Sequence, residues 1–197
     1  MHPLARHAAT LAIAASPLWA YPPAHAADRE AGRKKAEACA ACHGPGGIST
    51  NPAVPSIAAQ PNQFLVTQLV MFREGNRKDP LMSPVAAPLS NTDINDLAEY
   101  LSALPPAPPS GRADAKTAVA GQRLAEQYYC VSCHNTALEG QQHIPRLAGQ
   151  QRQYLLTQLR GFKAGTRFDM DGNMSAAVQS LPDADAEILA DYLSTLK

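Results

Sequence analysis

The sequence has few aromatic residues and no excess of charge of either sign. Aromatic side chains make up 6% of its 197 residues, and the one tryptophan, Trp19, lies near the N-terminus. So few large rings make an all-protein core hard to build, which indicates that something besides side chains fills the interior. Seventeen basic residues balance seventeen acidic ones. This neutrality argues against nucleic acid as a partner, because phosphates require a basic surface.

Residues 1–26 have the pattern of a secretory signal peptide. A basic start that includes Arg6 precedes an apolar stretch from Ala8 to Ala20, and Ala24-His25-Ala26 follows as a small-x-small cleavage site. Ser16 and Pro17 interrupt the apolar stretch, which is too short for a membrane anchor. No later segment is long and apolar enough to be transmembrane. We therefore expect a soluble protein that is exported to the periplasm after cleavage at this site.

The remaining sequence contains an internal repeat. Three segments recur in the same order: Cys39–His43 as Cys130–His134, Pro55–Asp79 as Pro145–Asp169, and Asp93–Leu101 as Asp185–Leu193. The middle pair aligns without a gap, and 12 of its 25 positions are identical. A period of about ninety residues is too long for a solenoid and is typical of a duplicated domain. We predict one domain over 27–104 and a second over 113–197, with residues 105–112 as a stiff, Pro-rich linker.

The apolar residues of both copies recur with helical spacing, and no segment alternates as a strand would. Leu155, Leu159 and Phe162 fall at i, i+4 and i+7, and Gly165 is placed to end their helix. The same pattern occurs ninety residues earlier. These patterns predict an all-α fold.

A further helix is predicted to close each copy. In the first, Ser90 is the expected N-cap, with Asp93 in the capping-box position. The expected buried stripe of this helix consists of Ile94, Leu97, Ala98 and Leu101. In the second, Pro182-Asp183 is expected in the first turn. Segments 44–55 and 77–88 are predicted to be loops.

The four cysteines form two C-x-x-C pairs, and a histidine follows each pair directly. This pentapeptide is the attachment motif of c-type haem. Two thiols add to the two vinyl groups of one porphyrin, and the adjoining histidine binds the iron. The sequence therefore predicts two covalently bound haem c groups. The thioether anchors are Cys39, Cys42, Cys130 and Cys133, and the proximal iron ligands are His43 and His134.

Other interpretations of the cysteines are weaker. Two disulfides are the usual reading of four cysteines in an exported chain, but they do not explain the histidines. A zinc ribbon needs its two pairs some 15–20 residues apart, whereas Cys42 and Cys130 are 88 positions apart. A thioredoxin-like pair needs a βαβ setting, which this helical sequence lacks.

The sixth iron ligand decides between electron transfer and ligand chemistry. Met82 and Met174 each begin a Met-Ser pair and precede the matching leucine of the closing helix by 15 residues. We assign both as distal thioether ligands. Met170 lies close by and is the alternative in the second copy, where two extra residues precede Met174. His143 has no histidine counterpart in the first copy, so a loop position is expected for it.

At this point the sequence resembles the class I cytochromes c, with the haem motif first, a methionine in a late loop and a closing helix. The tandem arrangement, with Pro-x-x-Ala-x-Gln in each copy, is similar to the cytochrome c4 family. This resemblance implies two tandem class I domains whose haems face the domain interface. It also implies that Gly32 and Gly121 allow the first and last helices to cross closely near Tyr100 and Tyr192. The carbonyls of the matching prolines, Pro55 and Pro145, would accept the ring N–H of the proximal histidines.

The function predicted from these features is electron transfer by a periplasmic dihaem cytochrome that is not an enzyme. Expected partners are a respiratory complex or dehydrogenase on one side and a terminal oxidase or reductase on the other. Two alternatives stay open. One is the cytochrome subunit of a larger dehydrogenase, whose haem domains would look the same. The other is a dihaem peroxidase, which needs an open distal position that two matching methionines do not provide.

Overall fold

The protein is described by a computed structural model over residues 26–112 and 114–197, in which the regular structure is helical. Residues 1–25 of the predicted signal peptide lie outside the described residues. The first half contains α1 (Arg29–Ala36), α2 (Ala40–His43), a 3-10 turn (Pro45–Gly47), α3 (Asn62–Arg73), α4 (Met82–Ala86) and α5 (Asn91–Ser102). The second half contains α6 (Ala115–Gln127), α7 (Cys130–His134), α8 (Arg152–Lys163), α9 (Asn173–Ala177) and α10 (Asp183–Ser194). Across the described ranges the sole β feature is an isolated bridge, and the all-α prediction is confirmed.

The predicted caps of the closing helices are found with one small difference. The Ser90 hydroxyl accepts a hydrogen bond from Asp93 N–H, and the Asp93 carboxylate accepts one from Ser90 N–H, which forms the capping box. In the second half Pro182 is the N-cap of α10 and not a residue of its first turn, so helical geometry begins one residue later, at Asp183. The buried stripe of α5 is also confirmed, since its four residues are at most 4% exposed: Ile94, Leu97, Ala98 and Leu101.

Two glycines set the distance between the first and last helices of each half. A Cβ on Gly32 would overlap the carbonyl oxygen of Asp96 and lie 2.9 Å from Cβ of Tyr100. A Cβ on Gly121 would overlap Cβ of Tyr192. Only glycine therefore permits these backbones to approach so closely, and the close crossing of α1 with α5 and of α6 with α10 is confirmed.

The prediction of a loop over 77–88 was wrong, because Met82–Ala86 form the short helix α4. The matching residues of the second half form α9 (Asn173–Ala177). Neither segment shows enough apolar periodicity to reveal a five-residue helix. A carboxylate just before each helix holds its first turn, and both helices carry the predicted methionine ligand.

The linker contacts the second half and does not stand free. Residues 105–112 lack regular structure, as expected. The N–H groups of Ser110 and Gly111 both donate to the carbonyl of Ser194, at 2.9 and 3.0 Å. They thereby satisfy the C-terminal end of α10, whose last carbonyls have no partner within the helix.

No helix in the described part of the chain has the length and apolar character needed to cross a membrane.

Candidate haem sites

The cysteine motifs form short helices, α2 and α7, that end at the motif histidines. Each motif follows directly on the first helix of its half, so α1 and α6 fix its position. All four motif cysteines are free thiols: Cys39, Cys42, Cys130 and Cys133. The structure therefore contains neither of the two disulfide bonds of the alternative interpretation.

The two partly buried thiols, Cys39 and Cys130, are suited to addition reactions. Burial raises the pKa of Cys39 and of Cys130, so both stay protonated near neutral pH. Addition of a thiol across a vinyl group uses the S–H form, whereas zinc takes the thiolate. Within residues 26–112 and 114–197, no three His, Cys, Asp or Glu side chains are grouped so as to hold a metal ion. The thiols therefore suit thioether formation better than a zinc centre.

The two motif histidines are buried, and each makes one hydrogen bond through Nδ1. His43 Nδ1 lies 2.8 Å from the carbonyl oxygen of Pro55, and His134 Nδ1 lies 2.8 Å from that of Pro145. A carbonyl can only accept, so Nδ1 carries the proton in both rings. Burial lowers the pKa of both histidines and keeps them neutral. Each Nε2 is thus left with a free lone pair, which is the tautomer that an iron ligand requires.

In the first half, Met82 is held at the start of α4 by the carboxylate of Asp79. This carboxylate accepts hydrogen bonds from the N–H groups of Leu81 at 2.9 Å and Met82 at 2.8 Å. The Asp79 N–H donates in turn to the Ser83 hydroxyl at 3.1 Å. These bonds fix the backbone of Met82, whose side chain is partly buried.

Asp169, the repeat counterpart of Asp79, does the same for Met174. It accepts hydrogen bonds from the N–H of Met174 at 2.8 Å and the N–H of Ser175 at 3.1 Å. The two extra residues are absorbed upstream, in a turn where Gly172 has φ +73°. The methionines therefore occupy equivalent places although their sequence spacing differs.

The other candidates for an iron ligand lie elsewhere. Met170 is 76% exposed. His143 is exposed, with its Nε2 3.3 Å from Asp171 Oδ2. Met71, the remaining methionine of the described residues, is buried, and its sulfur accepts a hydrogen bond from the Gln68 side chain. None of the three has a residue of the same type at the matching position of the other half.

A pair of half-buried arginines is a feature that sequence reasoning missed. The guanidinium of Arg77 lies over the Phe72 ring at 4.5 Å, and that of Arg167 over the Phe162 ring at 4.4 Å. Both guanidinium groups donate to the amide oxygen of Gln158. These residues are identical in the two copies, which was the one signal that could have drawn attention to them.

Neither arginine of this pair forms a salt bridge with a described residue, and Arg167 Nε is buried without a partner. Burial lowers the pKa of Arg167 to about 10, which still leaves it charged at neutral pH. The Asp169 carboxylate favours the charged form of Arg167 but forms no salt bridge with it. A partly desolvated cation without an ion-pair partner is stabilised by an anion, so the site favours an anionic group of a ligand. Haem carries two propionate carboxylates, so these residues fit it.

Each half contains a pair of free thiols and a neutral histidine with a vacant Nε2. Two half-buried arginines without an ion-pair partner donate to one glutamine between the halves. This combination defines a two-domain c-type cytochrome. The family model for cytochrome c matches residues 30–105 and 118–197.

Curated relatives and a solved structure agree with that match. The chain is 34% identical over 188 residues to a thiosulfate dehydrogenase electron acceptor of Thiomonas intermedia (strain K12), covering 89% of this chain and 84% of that protein. It is 34% identical over 181 residues to cytochrome c4 of Thiocapsa roseopersicina, covering 86% and 93%. The crystal structure of reduced cytochrome c4 from Pseudomonas stutzeri superposes with a TM-score of 0.81 at 31% identity, covering 87% of this chain and all of that one.

The chain belongs to the cytochrome c family and, within it, to the dihaem cytochromes c4. It is an electron-carrying cytochrome with two covalently bound haem c groups.

Proposed function

We propose that this cytochrome works in the periplasm as a two-centre electron carrier, with iron bound by His43 and Met82 in the first domain and by His134 and Met174 in the second. The observation that carries this proposal is the matched geometry of the two sites. In each domain a proline carbonyl orients the histidine at 2.8 Å. In each domain an aspartate also accepts the methionine N–H at 2.8 Å. Two closed sites of the same kind favour electron transfer over substrate binding.

The haem supplies a one-electron Fe(III)/Fe(II) couple, and the chain determines its potential and its access. Methionine opposite histidine raises the potential relative to two histidines. The carboxylates of Asp79 and Asp169 hold the backbone of Met82 and Met174, so both thioethers would be kept in place as iron ligands. The hydrogen bond from Nδ1 fixes each histidine ring in the same way.

A dehydrogenase is the proposed electron donor, with a terminal oxidase or reductase as acceptor. Support comes from the relative of Thiomonas intermedia, whose name describes it as an electron acceptor of thiosulfate dehydrogenase. The same relative keeps a second candidate open, in which the chain is a tightly held cytochrome subunit of such an enzyme.

A kinetic experiment tests the carrier role. The purified oxidised protein is mixed with a catalytic thiosulfate dehydrogenase and thiosulfate, and reduction of both haems is followed by stopped-flow absorbance. A carrier is reduced at a rate that rises with its own concentration, and the two proteins separate on size exclusion. Co-elution in fixed stoichiometry from the native host would favour the subunit candidate. Carbon monoxide binding by the freshly reduced protein would contradict closed sites and favour a peroxidase.

Location and processing are tested on the same preparation. The protein is expected in the periplasmic fraction, with Ala27 as its first residue and two haem masses attached. A mature chain that retained Trp19 would contradict export by cleavage at the predicted site.

A further inference from the structure

The strongest unexplained feature is a reciprocal exchange of hydrogen bonds between the two domains. Gln150 of the second domain accepts the N–H of Ser56 at 2.8 Å and donates to the Ser56 carbonyl at 2.8 Å. Gln60 of the first domain accepts the N–H of Arg146 at 3.0 Å and donates to the Arg146 carbonyl at 3.0 Å. A backbone N–H only donates and a carbonyl only accepts, so the orientation of both side-chain amides is determined.

Both glutamines are buried, at 4% and 5% exposure, and so is Ser56. Water therefore does not compete for these bonds, and each bond acts in a medium of low dielectric. Gln60 and Gln150 occupy the same place in the repeat, as do Ser56 and Arg146. The exchange thus follows a pseudo-two-fold relation between the domains, in which each domain presents one glutamine and one backbone segment.

The backbone segment that each glutamine contacts is the one that orients a proximal histidine. The Pro55–Ser56 peptide accepts His43 Nδ1–H through its carbonyl at 2.8 Å and donates its N–H to Gln150. A single peptide group therefore lies between the histidine of one domain and the glutamine of the other. The Pro145–Arg146 peptide joins His134 to Gln60 in the same manner.

We propose that Gln150 and Gln60 are positioning residues for the proximal histidines across the domain interface, so that each domain sets the potential of the iron in the other. Donation of the peptide N–H to a glutamine oxygen polarises the peptide and makes its carbonyl a stronger acceptor. A stronger acceptor gives the histidine more anionic character and makes it a more basic ligand. A more basic ligand stabilises Fe(III) and lowers the potential. This inference rests on the histidine ligation given under the proposed function.

The consequence is a dependence of each haem on domain docking. Separation of the domains removes both glutamine contacts. The Pro55 and Pro145 carbonyls then become weaker acceptors for the histidine ring N–H groups. A partner protein that loosens the interface would therefore raise the potential of both irons through this path. The docking of the two domains and the potentials of the two irons are thus coupled through hydrogen bonds, while the iron ligands stay the same.

The test replaces each glutamine by methionine, which has similar length but offers no N–H donor and no oxygen acceptor. Gln150→Met is expected to raise the potential of the haem bound to Cys39 and Cys42 and to leave the other haem unchanged. Gln60→Met is expected to do the reverse. The expected size is a shift of up to about tenfold in the Fe(III)/Fe(II) equilibrium, or about 59 mV for one electron. Each haem is identified by nuclear Overhauser contacts to its own cysteine β-protons, and potentials come from voltammetry.

Two further variants separate tuning from damage to the interface. Gln151→Met removes a neighbouring interdomain bond, from Gln151 Nε2 to the Ser49 carbonyl at 2.6 Å, without touching a histidine peptide. It is expected to leave both potentials unchanged. Gln150→Glu keeps an oxygen acceptor for the Ser56 N–H and is expected not to raise the potential of the first haem.

A second readout is independent of the potential. Exchange of the ring Nδ1–H with solvent, measured by NMR in the reduced protein, is expected to speed up for His43 alone in Gln150→Met. It is expected to speed up for His134 alone in Gln60→Met. Shifts that stay within the substituted domain, that affect both haems equally, or that are absent would overturn the proposal. Absence of histidine ligation in the wild-type protein would overturn the proposed function as well. Intact ligation, with potential shifts confined to the haem of the substituted domain, would overturn only the proposed effect across the interface.

Discussion

The carboxylate of Asp169 accepts a hydrogen bond from the backbone N–H of Met174 at 2.8 Å. Asp79 makes the same bond to Met82 at 2.8 Å, although that pair is three positions apart in the sequence and the other is five positions apart. In both domains the carboxylate therefore holds the methionine N–H in the first turn of the short helix, although the connecting turns differ in length. This relationship supports Met174 as the distal ligand of the second iron over its neighbour Met170.

Substitution of Met174 tests that assignment. Met174→Leu is expected to abolish the iron–sulfur charge-transfer band of one haem and to lower its potential, because leucine offers no ligand atom. Met170→Leu is the matched control, since Met170 is 76% exposed and its loss should leave the spectrum and both potentials nearly unchanged. Loss of the band in the control variant and its survival in Met174→Leu would reverse the assignment.

The aspartate that holds this methionine provides a separate prediction. Asp169→Ala removes the acceptor for the N–H groups of Met174 and Ser175. Loss of a helix cap of this kind costs about 1 kcal/mol. The charge-transfer band of the second haem is expected to weaken on mild heating before that of the first, as followed by visible absorbance. Equal loss of both bands would show that the carboxylate does not control the methionine.

The close helix crossings predict a large effect from a small substitution. Gly32→Ala would place a Cβ against the Asp96 backbone, which cannot give way as a flexible side chain can. We expect the first domain to lose about 1–3 kcal/mol of unfolding free energy, as is common for overpacked sites. Lys34→Ala, at an exposed position of the same helix, is the control in chemical denaturation. Unchanged stability of Gly32→Ala would contradict the close packing of α1 against α5.

Each domain is expected to depend on its haem for folding. Replacement of Cys130 and Cys133 by alanine should leave the second domain largely disordered while the first keeps its spectrum. Without haem, the Nε of Arg167 is buried without a hydrogen-bond partner, which costs about 1–3 kcal/mol. Limited proteolysis checks this expectation, and native-like resistance of the haem-free half would contradict it.

Acid is expected to weaken the first domain through a charge cluster that the second domain lacks. Lys35 bonds Asp93 at 2.7 Å and Asp96 at 2.6 Å. Lys35 lowers the pKa of both carboxyl groups, that of Asp93 to about 2. A carboxyl whose pKa is lower in the folded state stabilises the fold above its ordinary pKa, near 4, and this contribution is lost as the pH falls through the folded value. The stability of the first domain should therefore fall between pH about 4 and pH about 2.

The second domain supplies the control for this pH dependence. It has Leu124 and Ile188 at the positions that match Lys35 and Asp96. The double variant Lys35→Leu, Asp96→Ile is therefore expected to show a smaller fall of the denaturation midpoint over the same pH range. An equal fall in wild type and variant would exclude this cluster as the source.

The features that sequence predicted well are those encoded over short distances. The Ser90–Asp93 capping box spans three residues, and it was found as predicted. The bonds from the histidines to the carbonyls of Pro55 and Pro145 followed from the resemblance to known cytochromes, and they too are present.

The features that sequence missed depend on contacts between distant residues. Gln150 and Ser56 are 94 positions apart, and nothing in either local sequence indicates that they pair. Helix α4 escaped notice because its five residues carry no apolar period, although Asp79 was placed to cap it. In the second domain, a spacing of five residues from Asp169 to Met174 is not a usual capping pattern, so only the folded turn reveals the bond.

A redox titration followed by visible spectroscopy tests the central claim most directly, because it counts the haems and reports their ligands together. We predict two haems for each chain, both low-spin and six-coordinate. Each should show the iron–sulfur charge-transfer band when oxidised and lose it on one-electron reduction. A single haem, or a second haem without that band, would contradict the account of two matched histidine–methionine sites.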